Sequence, residues 1–243
     1  MRSRAGLLDM HLHLGRSRDG AHLSLREIQR AMQSYGIDRA VLFGIDEPDA
    51  GLTYERTNDR VLRASLRDSR LVAFARLNPR GGEKASREFR RCLGAGIRGV
   101  KLHPRSENFS PAQAEDLVAE IEQERLPLFL HTSHEINCRP LAWEKVFRRH
   151  RKISFILAHG AKDAFEEAVA VARRNRNVSI ETSTLSYWRS RVILKALGAQ
   201  RVVFGSDLPY SHPAVEREKL DLLLSPSDQR KVYSENAKRI LGE

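Results

Sequence analysis

Short apolar runs alternate with longer amphipathic runs from one end of this chain to the other. The alternation predicts repeated strand–helix units, in which parallel strands form a sheet that the helices cover. Eight such strands within 243 residues favour an α/β fold with one domain over residues 1–243, a (β/α)8 TIM barrel. The strands are predicted at Leu7–His13, Arg39–Gly44, Leu71–Asn78, Ile97–His103, Pro127–Thr132, Ile153–His159, Val178–Thr182 and Arg201–Asp207.

An open, doubly wound sheet is the alternative α/β fold. Such sheets often bind dinucleotides through a Gly-x-Gly-x-x-Gly loop after the first strand, and no such loop follows Leu7–His13. Gly94-Ala95-Gly96 precedes a strand, so it is predicted to form a turn. Capping patterns at Ser24 and Ser110 predict helix starts, and Gly36 predicts a helix end.

The chain carries a formal net charge of +11, which would suit an anionic partner. Most predicted helices mix both signs, as in Arg87–Arg91, and this mixing is typical of solvated faces. Only Phe147–Lys152 and Arg173–Arg176 form compact basic clusters. We therefore expect a small-molecule substrate and regard nucleic acid as an unlikely partner, while a homodimer is left open.

No segment approaches the length of a membrane span, and Met1–Gly6 is not followed by an apolar run long enough for a signal peptide. Cys92 and Cys138 offer neither a disulfide framework nor a paired zinc-binding spacing, so both are predicted to be free thiols. These features predict a cytoplasmic protein without membrane association.

Two histidines stand two residues apart in the first predicted strand. Side chains alternate along a strand, so His11 and His13 face one side while Leu12 faces the other. Barrel enzymes place reactive groups at the carboxyl ends of their strands. Three later strands end in residues that bind metals or transfer protons, namely His131, His159 and Asp207. Each alone could be a buried histidine bonded to the backbone or a helix cap.

Imidazole and carboxylate ligands together suit a divalent transition metal. Zn²⁺ is the favoured ion, with Fe²⁺, Mn²⁺ and Co²⁺ as alternatives. If His11, His13, His131 and Asp207 are the ligands, one position is left for a water, whose pKa the ion lowers to about 7. His159 could then exchange a proton with that water or with the substrate, since the unperturbed pKa of histidine is near 6.5.

These motifs resemble the amidohydrolase superfamily, in particular the amidohydrolase-2 branch that is related to aminocarboxymuconate-semialdehyde decarboxylase. The resemblance covers nearly the whole chain. It implies that His11, His13, His131 and Asp207 bind one metal, that His159 assists, and that Asp207 also accepts a proton. The matching pieces are Asp9-Met10-His11-Leu12-His13, Gly99-Val100-Lys101-Leu102-His103-Pro104, His131, Ala158-His159-Gly160, Gly205-Ser206-Asp207-Leu208-Pro209 and Glu235-Asn236-Ala237.

Strand parity turns Lys101 and His103 inward together. Some superfamily members carry a carboxylated lysine that bridges two metals, but the context here resembles the mononuclear branch. We therefore expect Lys101 to bind or polarise an anionic substrate, with pairing to Glu181 as the structural alternative. His103 and Arg105 are further candidates for substrate binding. Loop residues that could join them are His134, Glu135, Arg139, Tyr187, Trp188, Arg189, Tyr210 and His212.

The favoured function is a metal-dependent hydrolase in which activated water attacks an ester, lactone or amide carbonyl, on a substrate that is expected to be anionic. A decarboxylase or other lyase is the first alternative, because the same branch implies it with the same ligands. A metal-dependent deoxyribonuclease is less favoured, since that branch resembles a two-metal design with Glu where this chain has Lys101 or His103. A barrel with a metal but no activity is the last alternative.

Overall fold

The polypeptide closes a parallel sheet into a barrel, seen in a computed structural model that describes residues 6–243. Eight strand positions follow one another around the wall in chain order, which confirms the predicted fold. The strands are β1 (Leu7–Arg16), β2 (His22–Leu23), β3 (Ile37–Gly44), β4 (Leu71–Ala73), β5 (Ala75–Arg76), β6 (Val100–Leu102), β7 (Leu128–Leu130), β8 (Phe155–Leu157), β9 (Val178–Glu181) and β10 (Val202–Val203).

The wall consists of two hydrogen-bonded groups of strands, in the orders β2-β1-β3-β4 and β5-β6-β7-β8-β9-β10. Phe74 joins β4 to β5, and its backbone N–H donates to Leu42 O at 2.9 Å. On the opposite side Met10 N donates to Phe204 O at 3.0 Å, so β1 meets the last strand. These two seams close the barrel.

Amphipathic helices surround the wall and begin at recognisable caps. Ser24 and Glu27 form the predicted capping box, and Ser110 N donates to Gln113 Oε1 at 2.9 Å. Gly36 ends the first helix in a left-handed conformation, with φ 64°. The helices are α1 (Leu25–Tyr35), α2 (Glu55–Arg67), α3 (Glu83–Gly94), α4 (Pro104–Glu107), α5 (Pro111–Gln123), α6 (Pro140–Arg149), α7 (Phe165–Arg174), α8 (Tyr187–Leu197), α9 (Pro213–Asp221), α10 (Pro226–Arg230) and α11 (Asn236–Leu241).

Alternation along the strands, with a register shift in β1 between Asp9 and Leu12, divides the apolar residues into two layers. The larger layer lies between the wall and the helices, and it includes Leu12, Val100 and Leu102. The smaller layer fills the barrel interior below the carboxyl ends of the strands. Its members are Leu8, Met10, Val41, Phe43, Val72, Phe74, Phe129, Ile156, Ala158, Val203, Ala237, Ile240 and Leu241.

Two details of the wall differ from the sequence prediction. The third strand is interrupted at Phe74, where it changes partner from β3 to β6, instead of running from Leu71 to Asn78. The first strand continues to Arg16 and pairs with β2 in a small antiparallel hairpin beside the barrel mouth. The first departure is set by pairing with strands that are distant in sequence, and the second by a local hairpin. Apolar periodicity encodes neither.

Within residues 6–243, no helix has the length and apolar character needed to cross a membrane. The two cysteines are buried and free, as predicted. The interpretation of Met1–Gly6 concerns residues that lie, except for Gly6, outside the described part of the chain.

Gly99 packs tightly against the ring of Phe74, and this contact predicts how a larger residue at Gly99 would affect stability. A Cβ at Gly99 would lie 2.6 Å from Phe74 Cε1 and closer to Cζ, and both residues are buried in the wall. We expect Gly99→Ala to lower the free energy of unfolding by about 1–3 kcal/mol through overpacking. Urea unfolding followed by circular dichroism measures this change.

Gly94→Ala is the matched control, because Gly94 ends α3 with open space around its Cα. That variant is expected to be as stable as the parent or slightly more stable. Equal stability of both variants would show that Phe74 moves freely and that the predicted contact is wrong.

Candidate metal centre at the carboxyl ends of the strands

A cavity of about 570 Å³ opens at the carboxyl ends of the barrel strands. A larger groove of about 800 Å³ lies between β2 and α2, but it contains none of the predicted site residues. The cavity is lined by His11, His13, Ser17, Arg18, Asp19, Asp46, Arg76, Lys101, His103, Arg105, Ser106, His131, His159, Lys162, Thr184, Asp207 and Tyr210. The eight residues predicted to bind metal, transfer protons or bind substrate therefore lie around one space.

His11 and His13 project from β1 into the cavity, with ring centroids 5.1 Å apart. Buried Glu181 fixes the first ring, because its Oε2 lies 2.8 Å from His11 Nδ1. This contact directs His11 Nε2 toward the cavity. The Nε2 atoms of His11 and His13 each lie 3.0 Å from the same oxygen, Asp207 Oδ1.

The loop after β10 holds Asp207 against β1. Asp207 N donates to His11 O at 2.8 Å, and the residue adopts a left-handed conformation with φ 55°. Gly205 permits this close approach, since a Cβ there would lie 2.8 Å from His11 Cβ and from Glu181 Cγ. The carboxylate of Asp207 is thereby aimed at the two histidines.

His159 follows β8 at the start of a run of left-handed residues, with φ 59°. Its Nδ1 lies 3.0 Å from Ser183 Oγ and 3.9 Å from Asp207 Oδ2. Its backbone N donates to Glu181 Oε2 at 3.3 Å, so one carboxylate supports both His11 and His159. Strained backbone of this kind is often retained at functional sites.

His131 is not among the residues whose candidate ligand atoms lie closest together, whereas His159 is. The donor atoms that fall within 4.8 Å of one another belong to His11, His159 and Asp207. The His131 ring stacks on His103 at 3.8 Å and meets His159 edge-on at 5.1 Å. In this arrangement His159 is closer to a shared ion position than the sequence interpretation implies.

The residues present fit a metal ion. Tetrahedral ligands with bonds of about 2.0–2.1 Å stand roughly 3.3 Å apart, close to the 3.0 Å between each Nε2 and Asp207 Oδ1. Within residues 6–243, the buried nitrogens His11 Nε2 and His131 Nε2 make no hydrogen bond. Burial also holds the pKa of His11, His13 and His131 well below the usual range. Neutral imidazole is the form that binds metals.

Lys101 points into the barrel from β6, and its Nζ lies 4.6 Å from the ring centroids of Phe43 and Phe129. Burial lowers the pKa of Lys101 to about 7. The described residues provide no hydrogen-bond partner for Nζ, and Glu181 instead bonds to His11 and Ser183. The Lys101–Glu181 ion pair considered above is therefore not formed.

His103 caps α4, where its Nδ1 accepts a hydrogen bond from Ser106 N at 3.2 Å. Arg105 lies at the rim with its side chain 61% exposed, and its Nε is 3.2 Å from Glu135 Oε1. Tyr210 is the other loop candidate that lines the cavity, and its hydroxyl donates to Ser17 Oγ at 2.9 Å. The cavity lining does not include His134, Glu135, Arg139, Tyr187, Trp188, Arg189 or His212.

Arg76 at the end of β5 is a cavity residue that the sequence analysis did not single out. It is buried, and its Nε and Nη2 lie 2.8 and 2.7 Å from Glu107 Oε1. A charged residue near the end of the apolar segment Leu71–Asn78 was the available signal. Asp46, which lies 3.6 Å from Arg76 Nη2, was also missed because it follows its strand in a loop.

Comparisons with known proteins identify the family and the fold of this chain. The amidohydrolase family model matches residues 8–242. No curated protein matches the chain. Similar solved structures include 2,6-dihydroxybenzoate decarboxylase from Rhizobium, which is 16% identical with a TM-score of 0.78 over 98% of both chains. At this identity the likeness establishes the fold alone.

Two further structures of this kind contain metals. A dihydroxybenzoic acid decarboxylase from Polaromonas with bound manganese and an inhibitor is 15% identical, with a TM-score of 0.75 over 98% of this chain and 97% of that one. An amidohydrolase from Burkholderia multivorans with bound zinc is 14% identical, with a TM-score of 0.74 over 98% and 99%. Because the family model spans nearly all of the sequence, the chain belongs to the amidohydrolase family and is an enzyme.

Proposed function

We propose that this protein is a metal-dependent hydrolase that attacks the carbonyl carbon of a small, polar, anionic ester, lactone or amide. The observation that carries the proposal is the convergence of His11 Nε2 and His13 Nε2 on Asp207 Oδ1, beside buried Lys101. A His–Asp hydrogen bond alone accounts for the His13 contact. It does not account for His11 Nε2, which is close to the same oxygen without hydrogen-bond geometry.

In this proposal His11, His13, His131 and Asp207 hold one divalent transition metal, with Zn²⁺ favoured over Fe²⁺, Mn²⁺ or Co²⁺. The ion would lower the pKa of water and polarise the substrate carbonyl. Glu181 supports the site, because its bond to Nδ1 fixes the tautomer and the orientation of His11.

In this proposal, side chains of the protein transfer the protons and bind the substrate. Asp207 Oδ2 accepts the proton of the attacking water, and His159 at 3.9 Å passes a proton on to the leaving group. Ser183 and Thr184 hold the His159 ring through contacts of 3.0 and 3.3 Å to Nδ1. Lys101 binds an anionic group or polarises the carbonyl, because its Nζ has no hydrogen-bond partner in the described structure.

The character of the cavity wall favours hydrolysis of a polar substrate. Apart from histidines, Tyr210 is the one aromatic residue in the described lining, and most other members are charged or carry hydroxyls. An aromatic acid would gain little apolar contact from this wall. Decarboxylation is the second candidate, since Lys101 could hold a carboxylate next to the ion and similar structures include decarboxylases.

Isotope incorporation distinguishes these two reactions. We expect that a screen of anionic lactones, esters and amides yields a product carrying ¹⁸O from labelled water, without release of carbon dioxide. Mass spectrometry of the product and trapping of the gas provide the measurement. Carbon dioxide release from an aromatic carboxylic acid, with no ¹⁸O in an acid product, would instead establish the lyase.

Metal content is the second test of the proposal. We expect about one equivalent of transition metal per chain, loss of turnover on chelation, and recovery when the metal is restored. Elemental analysis of the purified protein measures the ratio. Two equivalents would favour a carboxylated Lys101 that bridges a metal pair, and an active metal-free protein would contradict the mechanism.

His131 and His159 compete for the role of third imidazole ligand, so their alanine variants are the sharpest comparison. We expect His131→Ala to lose metal. His159→Ala should retain metal and lose turnover by roughly 100- to 10,000-fold, the usual contribution of an acid–base group. Metal content and turnover are measured on the same preparations. The opposite outcome would make His159 the ligand, as the shorter spacing in the structure allows.

A further inference from the structure

Arg76 and Lys101 are neighbours across two adjacent strands. The pairing of β5 with β6 places Arg76 directly beside Lys101, and neighbouring strands lie about 4.8 Å apart. Both residues are about 1% exposed, and both line the cavity that contains the metal candidates. Two like charges in adjacent buried positions are unfavourable unless an anion compensates them.

Within residues 6–243, Glu107 is the carboxylate that hydrogen-bonds to this pair of cations. Glu107 accepts from Arg76 Nε at 2.8 Å, and its other oxygen accepts from His103 N at 3.0 Å. Lys101 Nζ has no hydrogen-bond partner among residues 6–243. Each cation therefore keeps one buried nitrogen, Arg76 Nη2 and Lys101 Nζ, that has no hydrogen-bond partner in the described structure.

The guanidinium of Arg76 is held rigidly. It packs 4.7 Å from the centroid of the Tyr54 ring, while Asn58 accepts from Arg76 N at 2.8 Å and donates to Arg76 O at 3.0 Å. Arg76 Nε donates to Glu107 Oε1, and its Nη1 donates to Gly44 O at 3.4 Å. Nη2 lies 2.7 Å from the same Glu107 oxygen but makes no hydrogen bond among residues 6–243, so it is the nitrogen left to face the cavity. A guanidinium held in this way can donate from this nitrogen to a carboxylate oxygen.

Asp46 at the cavity mouth is the closest competitor for this position. Its Oδ1 lies 3.6 Å from Arg76 Nη2 and 3.7 Å from Arg18 Nε, and both distances exceed a hydrogen bond. Its side chain is 29% exposed, so water reaches it. The contact is weak enough for a substrate anion to replace it.

We propose that Arg76 is a specificity-determining residue, and that Arg76 and Lys101 together bind one carboxylate of the substrate next to the metal candidates. The proposal rests on the proposed function and names its substrate class as a monocarboxylate, with the carboxylate close to the carbonyl that is attacked. The two unpaired nitrogens match the two oxygens of one carboxylate, whereas the second charge of a phosphate dianion would be buried close to Glu107 and Asp46.

The test measures binding of glycolate and of inorganic phosphate by calorimetry, with the protein as purified and again after chelation of the metal. The chelated form separates binding at Arg76 and Lys101 from direct binding to the metal. We expect Arg76→Lys to raise the dissociation constant of glycolate roughly 10-fold in both forms, because the charge stays while the planar fork is lost. We expect Asp46→Asn to lower it roughly threefold, because the competing carboxylate is removed.

Arg90→Lys is the matched control. Arg90 pairs with Glu83 at 2.8 Å and Glu120 at 3.1 Å on the surface and does not line the cavity, so glycolate binding should not change. Circular dichroism confirms that each variant is folded, and Asp46→Asn tests the proposal even if Arg76→Lys fails to fold.

An unchanged dissociation constant in folded Arg76→Lys, weaker binding in Asp46→Asn, or phosphate binding as tight as glycolate binding would overturn the proposal. The proposed hydrolase activity can be contradicted independently of the proposed carboxylate site. If no substrate gains ¹⁸O while the binding changes appear as expected, the carboxylate site stands and the reaction assignment falls. If hydrolysis is found but these variants bind glycolate like the parent, Arg76 has no such role.

Discussion

The seam between the first and last strands is the interaction on which the site depends. Met10 N bonds to Phe204 O, Asp207 N to His11 O, and His13 N to Leu208 O, at 2.8–3.1 Å. These bonds close the barrel and, in the same step, bring Asp207 to His13 across 194 residues of chain. A change that loosened the seam would therefore also separate the candidate metal ligands.

Buried carboxylates reinforce this seam from below. Asp9 Oδ1 accepts from His11 N at 3.0 Å and from Ser206 N at 2.9 Å, so one side chain ties both sides of the closure together. Glu181 also joins two segments, because its Oε2 accepts from His11 Nδ1 on β1 and from His159 N after β8. Such groups are costly to bury, and burial raises the pKa of Asp9 to about 7. Their cost is offset by the backbone and imidazole groups that they hold in place.

The parts of this architecture that follow from local rules could be predicted from the sequence. Strand parity placed His11 and His13 on one face and Leu12 on the other, and caps such as Ser24 marked helix starts. The interruption at Phe74 could not be predicted in this way. It arises because one strand must pair with β3 at its start and with β6 at its end, and this requirement depends on how the whole barrel closes.

The same distinction applies within the site. Their positions at strand ends predict that His131 and His159 both face the cavity. Their distances from Asp207 depend on backbone angles that cannot be predicted from the residue types. His159 reaches Ser183 and Asp207 because it adopts a left-handed conformation, which non-glycine residues rarely do. The electrostatic role of Arg76 could not be predicted from the sequence either. A lone arginine in an apolar segment acquires a role only when the fold sets it beside Lys101, and the electrostatics of the cavity therefore depend on strand register as much as on composition.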